Sequence, residues 1–350
     1  MLSVASVPYV LGLKANLAIY EWGLRRRQRP ALPVASVGNI TLGGTGKTTT
    51  TRRLARDLLA AGVRPGIVLR GHGRGAGPPL LLVTDGSQQA APARLAGDEA
   101  AMLARTVPGA TVAVGKRRER VIARLAAVGA QIAVLDDGFQ YFRMQRVVDL
   151  VLVDATFDLA GARVFPRGYL REPLTHLRRA THLLLTHCDL APTAQVERIV
   201  ALLAHHAPGA PVMLSRHVPA GLYRLDRPEE LLNPGELAGR RVAAMCAVGN
   251  PASFEGLLLG LGAEVVARCV FPDHHDYSPS DWGLVAKALR GRGVELVIVT
   301  EKDAVKLPPA PEVLPPVAVL AVELQVTRNE DAWEALIASV MDAARQEPAA

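Results

Sequence analysis

The sequence predicts an α/β protein: a doubly wound, mainly parallel sheet with a phosphate-binding loop (P-loop) after its first strand, and a second, smaller α/β domain. Two observations lead to this prediction. Short apolar runs alternate with helical segments, as they do around buried parallel strands, and a glycine-rich turn follows the first run. Hydrophobic residues make up 49% and charged residues 21% of the 350 residues, so the chain can bury a sizeable core and is not disordered.

The first 30 residues predict a helix that lies on a membrane surface. Residues 1–22 are mostly apolar and lead into the basic cluster 25–29. A cleaved signal peptide would carry its charge before the apolar part, and polar residues interrupt a run that would need about 20 apolar residues to span a bilayer. We therefore expect an amphipathic interfacial helix whose arginines meet anionic headgroups, each contributing about 1 kcal/mol. An ordinary first helix packed on the core is the alternative.

The turn between Val34–Val37 and the predicted helix Thr49–Ala61 has the strand–loop–helix context of a P-loop. Its glycines allow several backbone N–H groups to point at one anion, and the helix adds its positive N-terminal end. Lys47 is expected to reach the β- and γ-phosphates of a nucleotide, and Thr48 to hold Mg²⁺ through its hydroxyl. The residues expected to bind the nucleotide are Thr41 (in the place of the usual first glycine), Leu42, Gly43, Gly44, Thr45, Gly46, Lys47 and Thr48.

The alternation of strands and helices predicts a P-loop core over residues 31–207. The runs expected to form its further strands are Gly66–Leu69, Ala110–Val114, Ile132–Leu135, Leu150–Val153 and Leu183–Leu185, with an added hairpin strand at Leu80–Thr84. Helices are expected near Ala96–Thr106, Lys116–Val128 and Thr193–His206.

Residues 208–238 are rich in proline and glycine and are expected to form a linker, and residues 239–350 a smaller α/β domain. Its expected strands are Val242–Ala247, Val265–Phe271, Leu296–Val299 and Val317–Val322, and its helices lie near Ala252–Leu261, Ser280–Arg290 and Glu330–Arg345.

Acidic residues follow two of the predicted core strands. Asp136 and Asp137 come directly after one apolar run, and Asp154 after the next. An acid at the end of an apolar strand is what holds Mg²⁺ in a P-loop enzyme. Asp136 and Asp137 are the preferred metal ligands, because a doubled acid before a glycine is less expected as plain structure. Asp154 is the second candidate, or simply opens a loop.

Asp98 and His274 are candidates for acid–base chemistry. Asp98 stands at the start of a predicted helix, where it either caps the N-terminus or acts as the general base for a hydroxyl group. His274 belongs to the cluster Phe271–Tyr277, in which two histidines and two aspartates share a turn. Such a cluster suits metal binding or acid–base catalysis, or consists of loop residues whose polar groups simply have local hydrogen-bond partners.

Two glycine-rich loops and one short motif each allow more than one interpretation. Loops 70–74 and 167–173 carry arginines that suit phosphate or carboxylate binding. Alternatively, these arginines are charged loop residues that are simply exposed to solvent. The stretch Thr300–Asp303 resembles the Lys-x-Asp guanine-reading motif of GTPases, but one match of that length does not predict GTP.

Charge and composition narrow the class of partner. The formal charge of +7 and the isoelectric point near 9.6 predict an anionic partner. Aromatic residues make up only 4% and are not interleaved with basic ones, so no nucleic acid is expected. The three cysteines show no paired or metal-ligand spacing and are predicted to be buried thiols in a reducing compartment.

Taken together, several motifs resemble those of one family, the tetraacyldisaccharide 4'-kinases, which are the lipid A kinases of Gram-negative bacteria. The resemblance runs from the N-terminal helix to about Leu324. It rests on six stretches that occur in the family's order: Gly38–Thr48, Gly97–Glu99, Leu135–Gln140, Leu170–Pro173, Phe271–His274 and Thr300–Lys306.

This resemblance implies a P-loop kinase with a smaller C-terminal α/β domain joined by a β-linker. Its reaction would use Mg²⁺ and ATP to phosphorylate the 4'-hydroxyl of a tetraacyl glucosamine disaccharide 1-phosphate, which gives the 1,4'-bisphosphate, lipid IVA. The enzyme would work at the cytoplasmic face of the inner membrane as a peripheral or monotopic protein. By resemblance, Asp98 and His274 form a catalytic pair with Asp98 as the base, and Asp136 and Asp137 serve the metal and the nucleotide.

Two other functional classes are weighed against a kinase. A membrane-associated ATPase that switches conformation, of the partitioning or metal-insertion type, would carry its signature lysine at Leu42, where it is absent. A non-catalytic scaffold would have no need for Lys47, Thr48 and an acid pair. Both classes are therefore less favoured than a kinase.

Overall fold

The computed structural model describes residues 2–71, 74, 77–87 and 90–346. Residues 72 and 73 of the predicted arginine loop, the first residue of the chain and residues 347–350 of the predicted C-terminal domain lie outside the described residues. The first part of the chain forms α1 (Leu2–Glu21), β1 (Val34–Asn39), α2 (Lys47–Ala60), β2 (Pro65–Leu69), β3 (Leu80–Thr84), α3 (Ala93–Ala96), α4 (Asp98–Thr106), β4 (Thr111–Gly115), α5 (Arg118–Ala127), β5 (Ile132–Asp136), β6 (Val148–Asp154), β7 (His182–Thr186) and α6 (Thr193–His206).

The second part begins with two strands in the stretch predicted as a linker and continues as an α/β unit. Its elements are β8 (Val212–Arg224), β9 (Leu231–Leu232), β10 (Arg241–Cys246), α7 (Pro251–Gly260), β11 (Glu264–Val270), α8 (Asp281–Leu289), β12 (Leu296–Thr300), α9 (Glu301–Ala304), β13 (Val317–Arg328) and α10 (Glu330–Arg345). Two short 3₁₀ helices, Leu174–Arg179 and Pro234–Leu237, complete the elements.

Within the described ranges, thirteen strands form a single sheet in the order β11-β10-β12-β13-β8-β7-β6-β1-β5-β2-β4-β3, with β9 paired to β8. Neighbouring strands are parallel except in the pairs β13–β8, β3–β4 and β8–β9. The prediction of a mainly parallel sheet is thus confirmed. Strand β1 lies between β5 and β6, so the loop after β1 opens where the carboxyl ends of these strands meet, which is where such sheets bind ligands.

Helices cover both faces of the sheet. Since successive side chains of a strand point to opposite faces, each buried strand packs against helices on both sides. On one face, Leu152 of β6 packs in a buried cluster with Leu54 of α2 and Trp333 of α10. On the other face, Val153 packs with Leu203 of α6. Each of these large apolar side chains contributes about 1.5–3 kcal/mol by its burial. The last helix, α10, therefore packs on strands of the first part of the chain.

The stretch predicted as a linker contains the long strand β8. It pairs with β13 in antiparallel register, from Leu214 opposite Arg328 to Arg224 opposite Ala318. Its prolines and glycines concealed it in the sequence, because Pro219 lies beside an irregularity of the ladder where a strand tolerates a missing N–H. Through this pairing the two parts of the chain share one sheet. The division of the chain into domains at residues 207 and 239 stays a prediction.

Strand β3 coincides with the hairpin strand predicted at Leu80–Thr84. It pairs in antiparallel register with β4 at the edge of the sheet. The connection is not a hairpin, because α3 and α4 lie between the two strands. This connection places the first residue of α4, Asp98, at the site described below.

Helix α1 is only partly buried. Leu17 and Tyr20 pack against Phe142, whereas Leu11 is 61% exposed and Trp22, the residue that follows the helix, is 77% exposed. The helix thus rests on the core with one side and presents large apolar side chains to solvent. Among the described helices, none combines the length and apolar character that crossing a membrane requires.

Candidate active site

The P-loop joins buried strand β1 to helix α2, and neighbouring elements hold its backbone. Asn39 Nδ2 donates to Thr45 Oγ1 at 3.0 Å, and Thr186 Oγ1 of β7 donates to the Thr45 carbonyl at 3.2 Å. Gly46 precedes α2 with φ 80°, and a Cβ at this position would lie 3.0 Å from the His217 ring. Both facts require glycine here. The result is a fixed turn that ends at a helix N-terminus, which favours an anion.

The eight residues predicted to bind the nucleotide fall into two groups. Thr41 and Leu42 anchor the loop: Thr41 is buried in a bridge to Leu170, and the Leu42 N–H donates to the Tyr169 carbonyl at 2.7 Å. The other six line a cavity of about 370 Å³, and they are Gly43, Gly44, Thr45, Gly46, Lys47 and Thr48.

Asp136 ends strand β5 beside Thr48. Its carboxylate is buried, and Oδ2 has no hydrogen-bond partner among the described residues. Burial and the charge of Glu99 raise the pKa of Asp136, against the opposing charge of Lys47 and a hydrogen bond from Thr48. A carboxylate oxygen without a partner, next to a threonine hydroxyl, is a donor set that Mg²⁺ accepts in P-loop enzymes. The side chains present therefore fit this ion.

Asp137 has a different environment from its neighbour. Arg171 donates to both of its oxygens, with Nη1–Oδ1 2.6 Å and Nη2–Oδ2 3.1 Å, and Lys47 Nζ lies 4.0 Å from Oδ1. Burial raises the pKa of Asp137, but the hydrogen bond from Arg171 and the charge of Lys47 lower it by more. Asp137 is thus an ionised group that orients Arg171 and Lys47. Of the two acids, only Asp136 keeps an oxygen without a hydrogen-bond partner in the part of the chain that the structure describes.

Asp154, the second candidate for the metal, is engaged within the loops that follow β6 and β7. Its Oδ1 accepts from the Thr156 N–H at 2.8 Å and from the Thr156 hydroxyl at 2.6 Å. Its Oδ2 lies 3.0 Å from His187 Nδ1. These contacts favour the interpretation that Asp154 opens a loop.

Asp98 and His274, far apart in sequence, are in contact. Asp98 is the first residue of α4, whose N-cap is Gly97 with no side-chain cap. His274 Nδ1, from the turn after β11, lies 3.1 Å from Asp98 Oδ2. Burial raises the pKa of Asp98, but the hydrogen bond from His274 and the charges of Lys302 and Lys306 bring it well below its usual range. The hydrogen bond to Asp98 raises the pKa of His274, against burial and the charge of Lys302.

Two lysines complete this cluster, and no role was predicted for them from the sequence. Lys306 Nζ lies 3.4 Å from Asp98 Oδ2. Lys302 Nζ lies 3.1 Å from Asp273 Oδ1 and 3.3 Å from His274 Nε2. Their spacing of four residues, typical of one helix face, was the available signal. The stretch Thr300–Lys306 contributed to the family resemblance, but that resemblance assigned no role to its lysines.

The helix that follows the P-loop is tied to α9 by a buried ion pair. Arg52 Nη1 of α2 donates to Glu301 Oε2 at 2.7 Å, and Arg52 is 3% exposed. Arg52 also donates to the Val322 carbonyl, and the Val322 N–H donates to Glu301 Oε2 at 3.3 Å. The P-loop helix and the helix that carries Lys302 are therefore held as one unit.

We expect Arg52→Met to lower the free energy of unfolding by about 3–5 kcal/mol, because it leaves the Glu301 carboxylate buried without its cation. The double variant Arg52→Met/Glu301→Leu should lose less, since no charge is left unpaired. Arg124→Met, at an exposed position of α5, should stay within about 0.5 kcal/mol of the parent. Urea unfolding measures all three variants, and a loss in Arg52→Met no larger than in Arg124→Met would contradict the assignment.

Two cavities meet at the cluster formed by Asp98, His274 and the two lysines. The larger one is lined by the P-loop and by apolar residues of α7, and the smaller one, of about 160 Å³, is lined by Asp98, Asp136 and Asp137. Lys47 and His274 line both cavities. A phosphate on the P-loop and a group next to Asp98 can therefore approach each other at this boundary.

Comparisons with known proteins agree with this arrangement. The family model described as LpxK, tetraacyldisaccharide-1-P 4'-kinase, matches residues 1–342. A tetraacyldisaccharide 4'-kinase of Anaeromyxobacter dehalogenans (strain 2CP-C) is 38% identical over 342 residues, which cover 96% of this chain and 89% of the relative. The protein of the same name from Syntrophus aciditrophicus (strain SB) is 33% identical over 351 residues, which cover 97% of this chain and 92% of the relative.

A solved structure has the same fold over nearly its full length. It is described as the "apo" form of LpxK from Aquifex aeolicus in complex with ATP, and it matches with a TM-score of 0.73 at 28% identity, covering 96% of each chain. The predicted fold class and family are both confirmed. On these matches, the chain belongs to the tetraacyldisaccharide-1-P 4'-kinase (LpxK) family.

Proposed function

We propose that the protein transfers the γ-phosphate of ATP to the 4'-hydroxyl of a tetraacyl glucosamine disaccharide 1-phosphate, forming the 1,4'-bisphosphate (lipid IVA) of lipid A biosynthesis. The observation that carries this proposal is the meeting of two cavities, one on the P-loop and one at Asp98, with Lys47 and His274 lining both. The name of the family supports the choice of acceptor.

The larger cavity is the proposed ATP site. The P-loop N–H groups and Lys47 would hold the phosphates, and apolar side chains such as Phe254 suit the base. Thr48 and Asp136 would hold Mg²⁺, which neutralises charge on the β- and γ-phosphates. Asp137 would serve the site by orienting Lys47, since Arg171 occupies both of its oxygens.

The acceptor hydroxyl would enter through the smaller cavity. Its oxygen forms a bond to the γ-phosphorus while the bond from that phosphorus to the bridging oxygen breaks, and ADP leaves with the electron pair. The hydroxyl proton goes to Asp98, whose low pKa keeps it ionised but makes it a weak base. In phosphoryl transfer most of the catalysis comes from positioning and electrostatics, so we propose that Asp98 acts mainly by orienting the hydroxyl. His274 Nδ1 fixes the carboxylate.

The proposal is tested with purified full-length protein, γ-labelled ATP, Mg²⁺ and the tetraacyl disaccharide 1-phosphate in detergent. We expect the label to appear in a lipid product on thin-layer chromatography, and not with a matched acceptor that lacks the 4'-oxygen. Equal release of inorganic phosphate with and without acceptor would indicate a switching ATPase instead. Absence of any turnover would indicate a scaffold.

We further propose that the protein works at the cytoplasmic leaflet of the bacterial inner membrane, as a peripheral or monotopic protein. In the proposed division into segments 1–30, 31–207, 208–238 and 239–350, the first segment makes this contact. Leu11 of α1 is exposed, and so are Trp22 and Leu24, which directly precede the basic cluster 25–29. Apolar side chains beside arginines suit an anionic bilayer surface, and an acylated substrate gives the kinase a reason to lie there.

Leu11→Glu/Trp22→Glu should lower binding to phosphatidylglycerol vesicles by more than about tenfold, because each large apolar side chain contributes about 1.5–3 kcal/mol on insertion. Deleting residues 1–24 should have the same effect, and salt should weaken binding of the intact chain. Leu259→Glu, 53% exposed on α7, is the matched control and should bind normally. Vesicle co-sedimentation gives the bound fraction. Unchanged binding of the double variant in low and high salt would mean that α1 is an ordinary core helix.

A further inference from the structure

Lys302 is held at the nucleotide cavity by groups from two segments, the turn after β11 and the start of α4. Its side chain is 17% exposed, and its Nζ lies 3.1 Å from Asp273 Oδ1, 3.8 Å from Glu99 Oε1 and 3.3 Å from His274 Nε2. It lines the same cavity as residues 43–48 of the P-loop. The mechanism derived so far gives this group no part.

The backbone that carries Lys302 is fixed on both sides. Its neighbour Glu301 is bound to Arg52 of the P-loop helix through the buried ion pair described above. Its other neighbour, Asp303, is fully buried. Asp303 accepts hydrogen bonds from three donors, which are the Thr300 hydroxyl at 2.6 Å, the Ala247 N–H at 3.2 Å and the Tyr277 hydroxyl at 3.2 Å.

The stability of the fold does not account for this arrangement. Asp273 is 40% and Glu99 is 35% exposed at the side chain, and ion pairs with exposed carboxylates contribute only about 0–1 kcal/mol. Burial lowers the pKa of Lys302, but the charges of Glu99, Asp98 and Asp273 raise it by more, so the group stays an ammonium. A cation fixed in advance at a phosphate cavity is the arrangement that electrostatic catalysis needs.

We infer that Lys302 is a second catalytic lysine, which contacts the γ-phosphoryl group during transfer from the side opposite the P-loop. The inference rests on the proposed function. While the bond from the acceptor oxygen to phosphorus forms and the bond to ADP breaks, charge shifts onto the oxygens around the phosphorus and onto the leaving oxygen. An ammonium held there stabilises the transition state more than bound ATP, and therefore raises kcat more than it tightens binding.

The effect of Lys302→Met on the binding of a transition-state analogue, compared with its effect on the binding of ADP, separates a catalytic role from a structural one. For Lys302→Met we expect kcat to fall at least about 100-fold, as it does when one transition-state donor is removed elsewhere, with the KM for ATP within about threefold of the parent. Affinity for ADP should be unchanged, whereas affinity for Mg²⁺, ADP and aluminium fluoride bound together, a transition-state analogue, should fall by a factor similar to that of kcat. Lys302→Arg, which keeps the charge, should recover part of the loss.

Lys287→Met is the matched control, because Lys287 is an exposed lysine on α8, and it should leave kcat and analogue binding unchanged. A kcat of Lys302→Met within about threefold of the parent would overturn the inference. Equal weakening of ADP and analogue binding, together with a lower melting temperature, would also overturn it and make Lys302 a structural residue. Failure of the proposed function is a different result, since the unmodified protein would then transfer no phosphate to the lipid.

Discussion

Lys47→Ala is expected to remove nearly all phosphoryl transfer and to leave the fold intact. Lys47 is a lining residue of both cavities, where its ammonium would meet the β- and γ-phosphates. Removing one such group from a preorganised site costs about 10²–10³-fold in kcat. Its ion pair with Asp137 spans 4.0 Å and is partly exposed, so its loss costs at most about 1 kcal/mol of stability. Initial rates with labelled ATP, measured beside the melting temperature, show both effects.

Lys287→Ala, which removes an exposed lysine of α8, provides the control for the charge change and should keep full activity. Lys47→Met provides a second variant that retains the aliphatic stem and should be as inactive as Lys47→Ala. Near-normal turnover by either folded Lys47 variant would show that the P-loop assignment is wrong.

Asp98→Ala and His274→Ala are each expected to lower kcat by more than about tenfold, and the double variant by much less than the product of the two losses. The reason is the 3.1 Å contact between His274 Nδ1 and Asp98 Oδ2. If His274 acts by orienting Asp98, removing the carboxylate already removes what the histidine contributes. A complete double-mutant cycle of kcat measures this coupling.

A purely structural role for Asp98 would give a different result. Gly97, not Asp98, is the N-cap of α4, but Asp98 Oδ1 accepts from the Glu99 N–H at 2.9 Å, so a structural role predicts a loss of about 1 kcal/mol of stability with kcat little changed. Asp98→Asn separates the two roles, because the amide keeps an acceptor oxygen but removes the negative charge. Fully multiplicative rate losses in the cycle would mean that Asp98 and His274 work independently.

The strands of this fold were predictable because most are buried on both faces and are therefore apolar without interruption. Helix α6 spans Thr193–His206, as predicted, since its apolar residues recur with helical spacing. The path of β8 was not predictable in this way. It bridges the two parts of the sheet, its exposure varies along its length, and Pro219 and Gly221 break the usual signal of a strand.

The parts of the site that could be predicted are those whose residues are close together in the sequence, and contacts between distant segments could not be predicted from local patterns. The P-loop was evident because its residues are consecutive and their spacing reflects one local geometry. The pairing of Asp98 with His274 came only from the family resemblance, because contacts between distant segments leave no local pattern. The same holds for the hydrogen bonds from Arg171 to Asp137 and for the contacts of Lys302. These residues are far apart in sequence and meet only in the folded structure.

The central claim, transfer to one particular hydroxyl, is tested most directly by locating the new phosphate in the product. Phosphorus–proton correlation NMR on the purified lipid product reports which ring proton couples to each phosphorus. The account predicts a new phosphorus signal coupled to the proton at the 4' carbon, in addition to the signal of the 1-phosphate. A new phosphate on any other hydroxyl, or no new phosphorus signal despite the consumption of ATP, would contradict it.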